Sequence, residues 1–238
     1  NYVYDLDANR MFLLNDQKVV VAPTNIEYTV DLNVFAFVGS ENEITNWNGY
    51  SVYLKSGFVF NNEKNLTLST SIDVGDNEVD KITYTGSSSK EALIRTNGGE
   101  LNIDAENDTI YHHGNSDDVN IIKCADHSYY LYGEVTGAVT VKQGHVQIAK
   151  GATVNTIVVP SDTTGTVEVE NKGTVSVVNT ENASTENVSI KNEGTIDIAV
   201  GQITITGNKS ENSYTESKKL TSDTHEITAG GYYDGTGV

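Results

Sequence analysis

Aromatic side chains are the residues of this sequence that most clearly indicate a binding function. They occur in two local concentrations, which contain Trp47, Tyr50 and Tyr53, and Tyr129, Tyr130 and Tyr132. In a β-strand Tyr130 and Tyr132 share one face and Tyr129 takes the other. Amphipathic rings on a solvated face can stack on sugars or anchor a protein partner. We therefore predict these six residues as binding residues; the alternative is that the tyrosines only pack at the ends of a coil.

Carboxylates in two polar loops are the candidate metal ligands. Asp73, Asp76 and Asp80 lie in one loop, and Asp117 and Asp118 lie in the other. Calcium takes six to eight oxygen ligands, so these aspartates predict a calcium site. Neither the EF-hand spacing nor a G-G-x-G-x-D repeat is present, which leaves solvated acidic turns as the alternative. No other cofactor is expected.

A third cluster contains residue types that bind zinc, namely His112, His113, Asp117, Asp118, Cys124, Asp126 and His127. Adjacent His112 and His113 point to opposite faces of a strand, so they cannot serve one ion without a bulge. Cys124 follows Ile121 and Ile122, which indicates a buried thiol. The pattern therefore favours a polar loop followed by a core cysteine.

Short β-strands in a repeat are the elements that must position these residues. Residues 167–177 (VEVENKGTVSV) match residues 188–198 (VSIKNEGTIDI) at an offset of 21 without gaps. The same offset places Val146, Ile148, Thr153 and Val154 in corresponding positions one copy earlier. Valine and isoleucine alternate with polar residues, which predicts strands with one buried face. We expect about three short strands per 21-residue coil.

Regular side-chain register distinguishes a solenoid from a sandwich. Coils that stack about 4.8 Å apart place like residues over like, and Asn171 and Asn192 would then form an amide ladder. Glycines precede six of the strands and are predicted to adopt positive φ at the corners. These are Gly137, Gly144, Gly165, Gly173, Gly194 and Gly201.

These features resemble the right-handed parallel β-helix proteins, which include pectin-lyase-like enzymes and adhesin-type repeats of bacterial surface proteins. The fold class predicted is all-β, a single-stranded right-handed parallel β-helix (β-solenoid). The resemblance is to architecture and is carried by residues 133–206, which we interpret as regular coils. We predict an N-terminal capping segment over 1–45, irregular coils with loop insertions over 46–132, and a C-terminal coil or tail over 207–238, all in one domain.

Composition narrows the functional classes. The 238 residues include 15 Lys and Arg, 33 Asp and Glu and one Cys, for a formal net charge of −18. This charge repels phosphate backbones and anionic lipid, so neither nucleic-acid binding nor membrane insertion is expected. One cysteine excludes an internal disulfide. The composition favours a secreted or cell-surface bacterial protein, and the oligomeric state stays open.

The resemblance implies two functions, with a purely structural stalk as a third. A non-catalytic surface protein would present its flat sheet to a polysaccharide or a surface protein, as adhesins do. A polysaccharide lyase or glycoside hydrolase would instead carry its site on coils 70–130. Lyases of this architecture pair calcium-binding aspartates with an Arg or Lys that abstracts the sugar C5 proton, and Arg95 is the candidate here. The alternatives for Arg95 are a surface ion pair and a binding contact.

Overall fold

The computed structural model describes most of the chain as β-strand and turn. The described residues are 2–5, 10–15, 18–22, 35–38, 43–47, 51–54, 64–86, 91–124, 129–180, 182–183, 187–201, 203–207, 224–227 and 232–234. Alternation of buried and exposed residues runs through these strands, as in Glu91–Asn97, because every second side chain points to the same face. No helix among these residues is long and apolar enough to cross a membrane.

The strands within the described residues are numbered in chain order. They are β1 (Tyr2–Asp5), β2 (Arg10–Asn15), β3 (Lys18–Ala22), β4 (Phe35–Val38), β5 (Glu43–Trp47), β6 (Ser51–Leu54), β7 (Asn65–Leu68), β8 (Ile72–Asp73), β9 (Lys81–Tyr84), β10 (Glu91–Asn97), β11 (Glu100–Ala105), β12 (Thr109–Ser116), β13 (Asp118–Cys124), β14 (Tyr129–Leu131), β15 (Glu134–Val141), β16 (Gly144–Ile148), β17 (Thr153–Val158), β18 (Val167–Asn171), β19 (Thr174–Asn179), β20 (Val188–Asn192), β21 (Thr195–Val200), β22 (Ile203–Gly207), β23 (Thr224–Ile227) and β24 (Tyr232–Asp234).

These strands form a parallel β-solenoid of about seven turns, as the repeat predicts. The even-numbered strands from β6 to β22 pair in parallel and make the first sheet. The odd-numbered strands from β5 to β21 make the second sheet in the same way. Each coil therefore has two strands rather than the three predicted. The second strand is long and is interrupted by a register shift, as between Val135 and Ala138 in β15.

The 21-residue offset is confirmed between β18 and β20 and from β17 through β19 to β21, and it is wrong for β16. Val167 pairs with Val188, and Thr153 pairs with Thr174. At β16 the partner of Val167 is Gly144, two residues before the predicted Val146. The reason is the turn between β16 and β17, residues 149–152, which is two residues longer than the turn between β18 and β19.

The interior of the solenoid is filled by stacked aliphatic rows. One row consists of Val146, Val169, Ile190 and Ile205, which are in register and fully buried. The predicted amide ladder is confirmed, since Asn171 Nδ2 donates to Asn192 Oδ1 at 2.8 Å and both side chains are buried. Burial of like residues on like holds each coil to the next.

The prediction of positive φ is confirmed for only two of the six corner glycines. Gly144 and Gly201 have φ values of 125° and 108°. The prediction is wrong for Gly137, Gly165, Gly173 and Gly194. There glycine is needed because the neighbouring coil is close: a Cβ at Gly194 would lie 2.2 Å from the carbonyl oxygen of Gly173.

Antiparallel strands lie at both ends of the described ladders. At the N-terminal end β1, β2 and β3 form a meander, and β3 then pairs in parallel with β6. At the C-terminal end β23 pairs antiparallel with β22, and β24 with β21. The assignment of 1–45 as a cap and of 207–238 as a coil or tail stays a prediction, as do the domain boundaries.

Candidate functional site

The outer face of the first sheet carries a group of aromatic rings on β12 and β14. Tyr111 is in register with Tyr130, and His113 is opposite the position that follows Leu131, which is Tyr132. The side chains alternate along each strand, so all four rings are outside while their neighbours His112 and Leu131 are buried. We call Tyr111, His113, Tyr130 and Tyr132 the aromatic surface.

The four rings form two stacks across adjacent coils. The Tyr111 and Tyr130 ring centroids are 5.2 Å apart with an 18° interplanar angle. The His113 and Tyr132 centroids are 4.8 Å apart at 9°. Nearly parallel rings at this separation are offset from one another, so each leaves part of a face to solvent. Tyr132 is 46% exposed, the largest exposure among the hydrophobic side chains of this surface.

Polar and charged groups flank the aromatic surface on β8 and β10. Arg95 Nη1 lies 3.9 Å from Asp73 Oδ2, so the surface ion pair predicted for Arg95 is present. The Tyr111 hydroxyl donates to Glu91 Oε1 at 3.5 Å. Desolvation and the Glu91 carboxylate raise the pKa of Tyr111, so its hydroxyl stays protonated. Leu93, which is exposed, completes this side of the surface.

Tyr129 is not part of this surface, which corrects its assignment as a binding residue. Its side chain is fully buried, because it alternates with Tyr130 along β14. Its hydroxyl lies 2.6 Å from His112 Nδ1 in the solenoid interior. Burial raises the pKa of Tyr129, and the phenol remains neutral. Tyr129 therefore supports β14 from inside and cannot contact a ligand at the surface.

His112 lies at the centre of a buried polar network. Its Nε2 lies 2.8 Å from Thr96 Oγ1 and 3.3 Å from Ser116 Oγ. Desolvation, with a smaller contribution from His113, lowers the pKa of His112 to about 3. The imidazole is therefore neutral and enclosed, whereas His113 is outside. The opposite orientations predicted for the two histidines are confirmed, as is burial of Cys124.

The first aromatic concentration is described only in part. The backbone of Tyr53 is in register with Asp73 and lies in the first sheet. Trp47 ends β5, which belongs to the second sheet, so the two residues are on different ladders. Tyr50 lies outside the described residues, and nothing is described of the side chains of Trp47 and Tyr53.

Three of the five candidate calcium ligands accept hydrogen bonds from backbone N–H groups. Asp73 Oδ1 accepts the Gly75 N–H at 2.8 Å, Asp117 Oδ2 accepts the Gly99 N–H, and Asp118 Oδ1 accepts the Ala138 N–H. Asp80 and Asp117 line a groove of about 630 Å³ with Glu78, Asn97 and Asn115. Asp76 accepts a hydrogen bond from Asn97 through its backbone carbonyl. In the part of the chain that is described, no three His, Cys, Asp or Glu residues form a group that could hold a metal ion.

The arrangement of a lyase would need a basic residue among several carboxylates. Arg95 is close to Asp73, at a distance beyond a hydrogen bond. Asp80 lines the groove, and Asp76 accepts a hydrogen bond from Asn97 of β10 through its backbone carbonyl. The geometry around Arg95 therefore supports an ion pair beside the aromatic surface.

Tyr111 and His113 are the surface residues that sequence reasoning missed. Alternation predicts correctly that Tyr130 and Tyr132 share a face. Their stacking partners one coil earlier lie at an offset shorter than 21 residues, so the regular repeat does not identify them. The detectable signal is the Y-H-H and Y-Y-L-Y strings, which both place rings at alternate positions of a strand.

The described site is thus a flat, amphipathic outer surface of rings, flanked by one ion pair and one carboxylate. No protein-family model, curated protein or solved structure matches this chain. What the surface can do follows from its chemistry: ring faces can cover apolar surface, while hydroxyl, carboxylate and guanidinium groups can hydrogen-bond at the margin.

Proposed function

We propose that this chain is an exported or cell-surface, right-handed β-helix protein of adhesin-like, non-catalytic function that binds a glycan on the aromatic surface. The observation that carries the proposal is the pair of ring stacks on one flat sheet, Tyr111 on Tyr130 and His113 on Tyr132. Sugars combine apolar ring faces with equatorial hydroxyls, and this surface combines ring faces with hydrogen-bonding groups.

The rigidity of the sheet supports the same proposal. Tyr111 and Tyr130 are held from below by the His112–Tyr129 contact, and parallel strands fix the spacing of the rings. Tyrosine loses little conformational entropy on binding when its ring is already ordered, because only two side-chain torsions need to be fixed. A preorganised surface of this kind is suited to repeated contacts with an extended polymer.

Charge supports a glycan in preference to nucleic acid or anionic membrane. The net charge of −18 opposes any partner that carries many phosphates. At the margin of the aromatic surface, the charge of Arg95 is compensated by Asp73, and Glu91 accepts a hydrogen bond from the Tyr111 hydroxyl. A ligand with hydroxyl groups can use these groups without bringing charge of its own.

A glycan array with two variants tests the proposal. We expect the wild-type chain to bind at least one glycan, and the triple variant Tyr111→Ala, Tyr130→Ala, Tyr132→Ala to lose at least tenfold in affinity, because aromatic anchors carry much of the binding energy of an interface. The matched control is Glu168→Ala with Ser189→Ala, two exposed outer positions of the same sheet. Equal binding by the triple variant and this control would contradict the proposal, and a wild-type chain that binds no glycan would favour the structural stalk.

A further inference from the structure

The stack of His113 on Tyr132 ends one coil later, at an alanine. Leu131 is in register with Ile148, and the Ala149 N–H donates to the Leu131 carbonyl at 2.9 Å. Ala149 therefore occupies the next position of the same outer row, directly after Tyr132. Where a ring would continue the stack there is a methyl group, and Tyr132 is 46% exposed. We call the space beside Tyr132 and over Ala149 the Tyr132 step.

The dimensions of the Tyr132 step suit a six-membered ring. Neighbouring coils are about 4.8 Å apart, and stacked rings prefer centroid separations of about 4.5–7 Å. His113 and Tyr132 already show the spacing that a further ring would adopt, with centroids 4.8 Å apart. A pyranose seated on Tyr132 would thus be the third ring of the stack, with the Ala149 methyl beneath it.

The charged groups beyond the step balance one another. The Lys172 N–H donates to the Ile148 carbonyl, so Lys172 follows Ala149 in the outer row. Glu170 Oε1 lies 3.3 Å from Lys172 Nζ and 3.1 Å from Lys191 Nζ, and its other oxygen accepts from Gln147. Lys191 also contacts Glu193. Two lysines therefore face two glutamates, and exposed Lys150, which follows Ala149, has a counterpart of opposite charge in exposed Glu134, two residues after Tyr132. This balance leaves no surplus positive charge for an acidic sugar.

We infer that the Tyr132 step is the subsite for one uncharged pyranose ring of the glycan. This inference rests on the proposed function, and it adds the position of a sugar and its class. A uronate would bring a negative charge to a chain of net charge −18, at a place where Lys172 and Lys191 are already paired with glutamates. A neutral pyranose places its apolar face on Tyr132 and its hydroxyls towards Gln147 and Glu170.

Filling the step tests the inference without removing any ring. In Ala149→Tyr the new side chain continues the stack and occupies the step, so we expect at least tenfold weaker binding and a melting temperature no lower than that of the wild type. The control is Ser189→Tyr, which adds the same side chain at an exposed outer position of β20. If Ala149→Tyr does not fold, Ala149→Leu fills part of the step and is expected to weaken binding at least threefold.

The probes are neutral hexasaccharides of glucose, mannose, galactose and N-acetylglucosamine, together with hexagalacturonate, each titrated by calorimetry. Binding of a neutral hexasaccharide that is lost in Ala149→Tyr and kept in Ser189→Tyr supports the inference. Unchanged binding in Ala149→Tyr, while the triple tyrosine variant loses binding, overturns the step and leaves the proposed function in place. Tighter binding of hexagalacturonate than of every neutral probe overturns the sugar class. Failure of the wild-type chain to bind any probe overturns the inference together with the proposed function.

Discussion

Neutral His112 makes the stability of the solenoid depend on pH in a defined window. The imidazole is fully buried between Thr96, Ser116 and Tyr129. Thr96 donates to the His113 carbonyl, so it can accept a proton from Nε2 of His112 while Tyr129 donates to Nδ1. Every polar atom of the ring is thereby used in the neutral state, and a proton added to it would be buried without a carboxylate in this network.

The direction and the size of this change in stability follow from the pKa values of His112 in the folded and the unfolded chain. The pKa is about 3 in the folded chain against 6.5 for the free side chain. Between these pKa values the unfolded chain binds more protons than the folded chain. The contribution of neutral His112 to the free energy of unfolding is therefore fully present above pH 6.5 and is lost as the pH falls from 6.5 towards 3. At pH 5.5 the unfolded imidazole is mostly protonated and the folded one is not, which lowers the free energy of unfolding by about 1.4 kcal/mol relative to pH 8.0.

Urea unfolding of the wild type and of His112→Gln, followed by circular dichroism at pH 8.0 and 5.5, measures this contribution. Glutamine keeps polar atoms in the network and does not titrate, so we expect its fall in unfolding free energy between the two pH values to be smaller by about 1.4 kcal/mol. Carboxylates change little in protonation over this range, and the comparison with the variant removes what remains.

Imidazole resonances provide an independent readout. We expect the resonance that disappears in His112→Gln to keep its chemical shift between pH 8 and pH 5. Equal falls in stability for the two proteins, or a His112 resonance that titrates near pH 6.5, would refute the assignment of a buried neutral imidazole.

Three further predictions concern the coils. Asn171→Ala removes the donor to Asn192 and the acceptor of the Gly173 N–H. We expect it to lower the free energy of unfolding, measured by urea unfolding, by about 2–3 kcal/mol. The exposed control Asn155→Ala is expected to lower it by less than about 0.5 kcal/mol. Gly98→Ala and Gly99→Ala form a matched pair, because both residues have positive φ but only the Cβ at Gly99 would collide, at 1.9 Å from the carbonyl oxygen of Val79. We expect a cost of about 1 kcal/mol at Gly98 and about 1–3 kcal/mol more at Gly99, measured by urea unfolding, and equal costs would contradict the clash. Glu170→Gln removes the partner of two lysines, and thermal melts should show a small loss at low salt that vanishes in 1 M salt; a loss that persists would show that charge is not its cause.

Local patterns in the sequence predict much of the fold. Alternation gives each strand two faces, and it places Tyr130 and Tyr132 on one face and Tyr129 on the other, although which face is buried was not predicted for Tyr129. The repeat at 167–198 gives the stacking of like on like, including the Asn171–Asn192 bond. These predictions succeed because they depend on neighbours within one strand, or on strands separated by turns of equal length.

The tertiary structure alone decided which outer residues meet across coils. Turn lengths vary, as residues 149–152 show, and each added residue in a turn changes which residue of the next coil lies opposite. The meeting of Tyr111 with Tyr130, of His113 with Tyr132 and of Tyr132 with Ala149 depends on that register. The sequence by itself determined a parallel solenoid with alternating faces, because side-chain direction is a property of a single strand. The aromatic surface and its step exist only because the pairing energy of whole strands, summed over several coils, selects one register among those that local alternation permits.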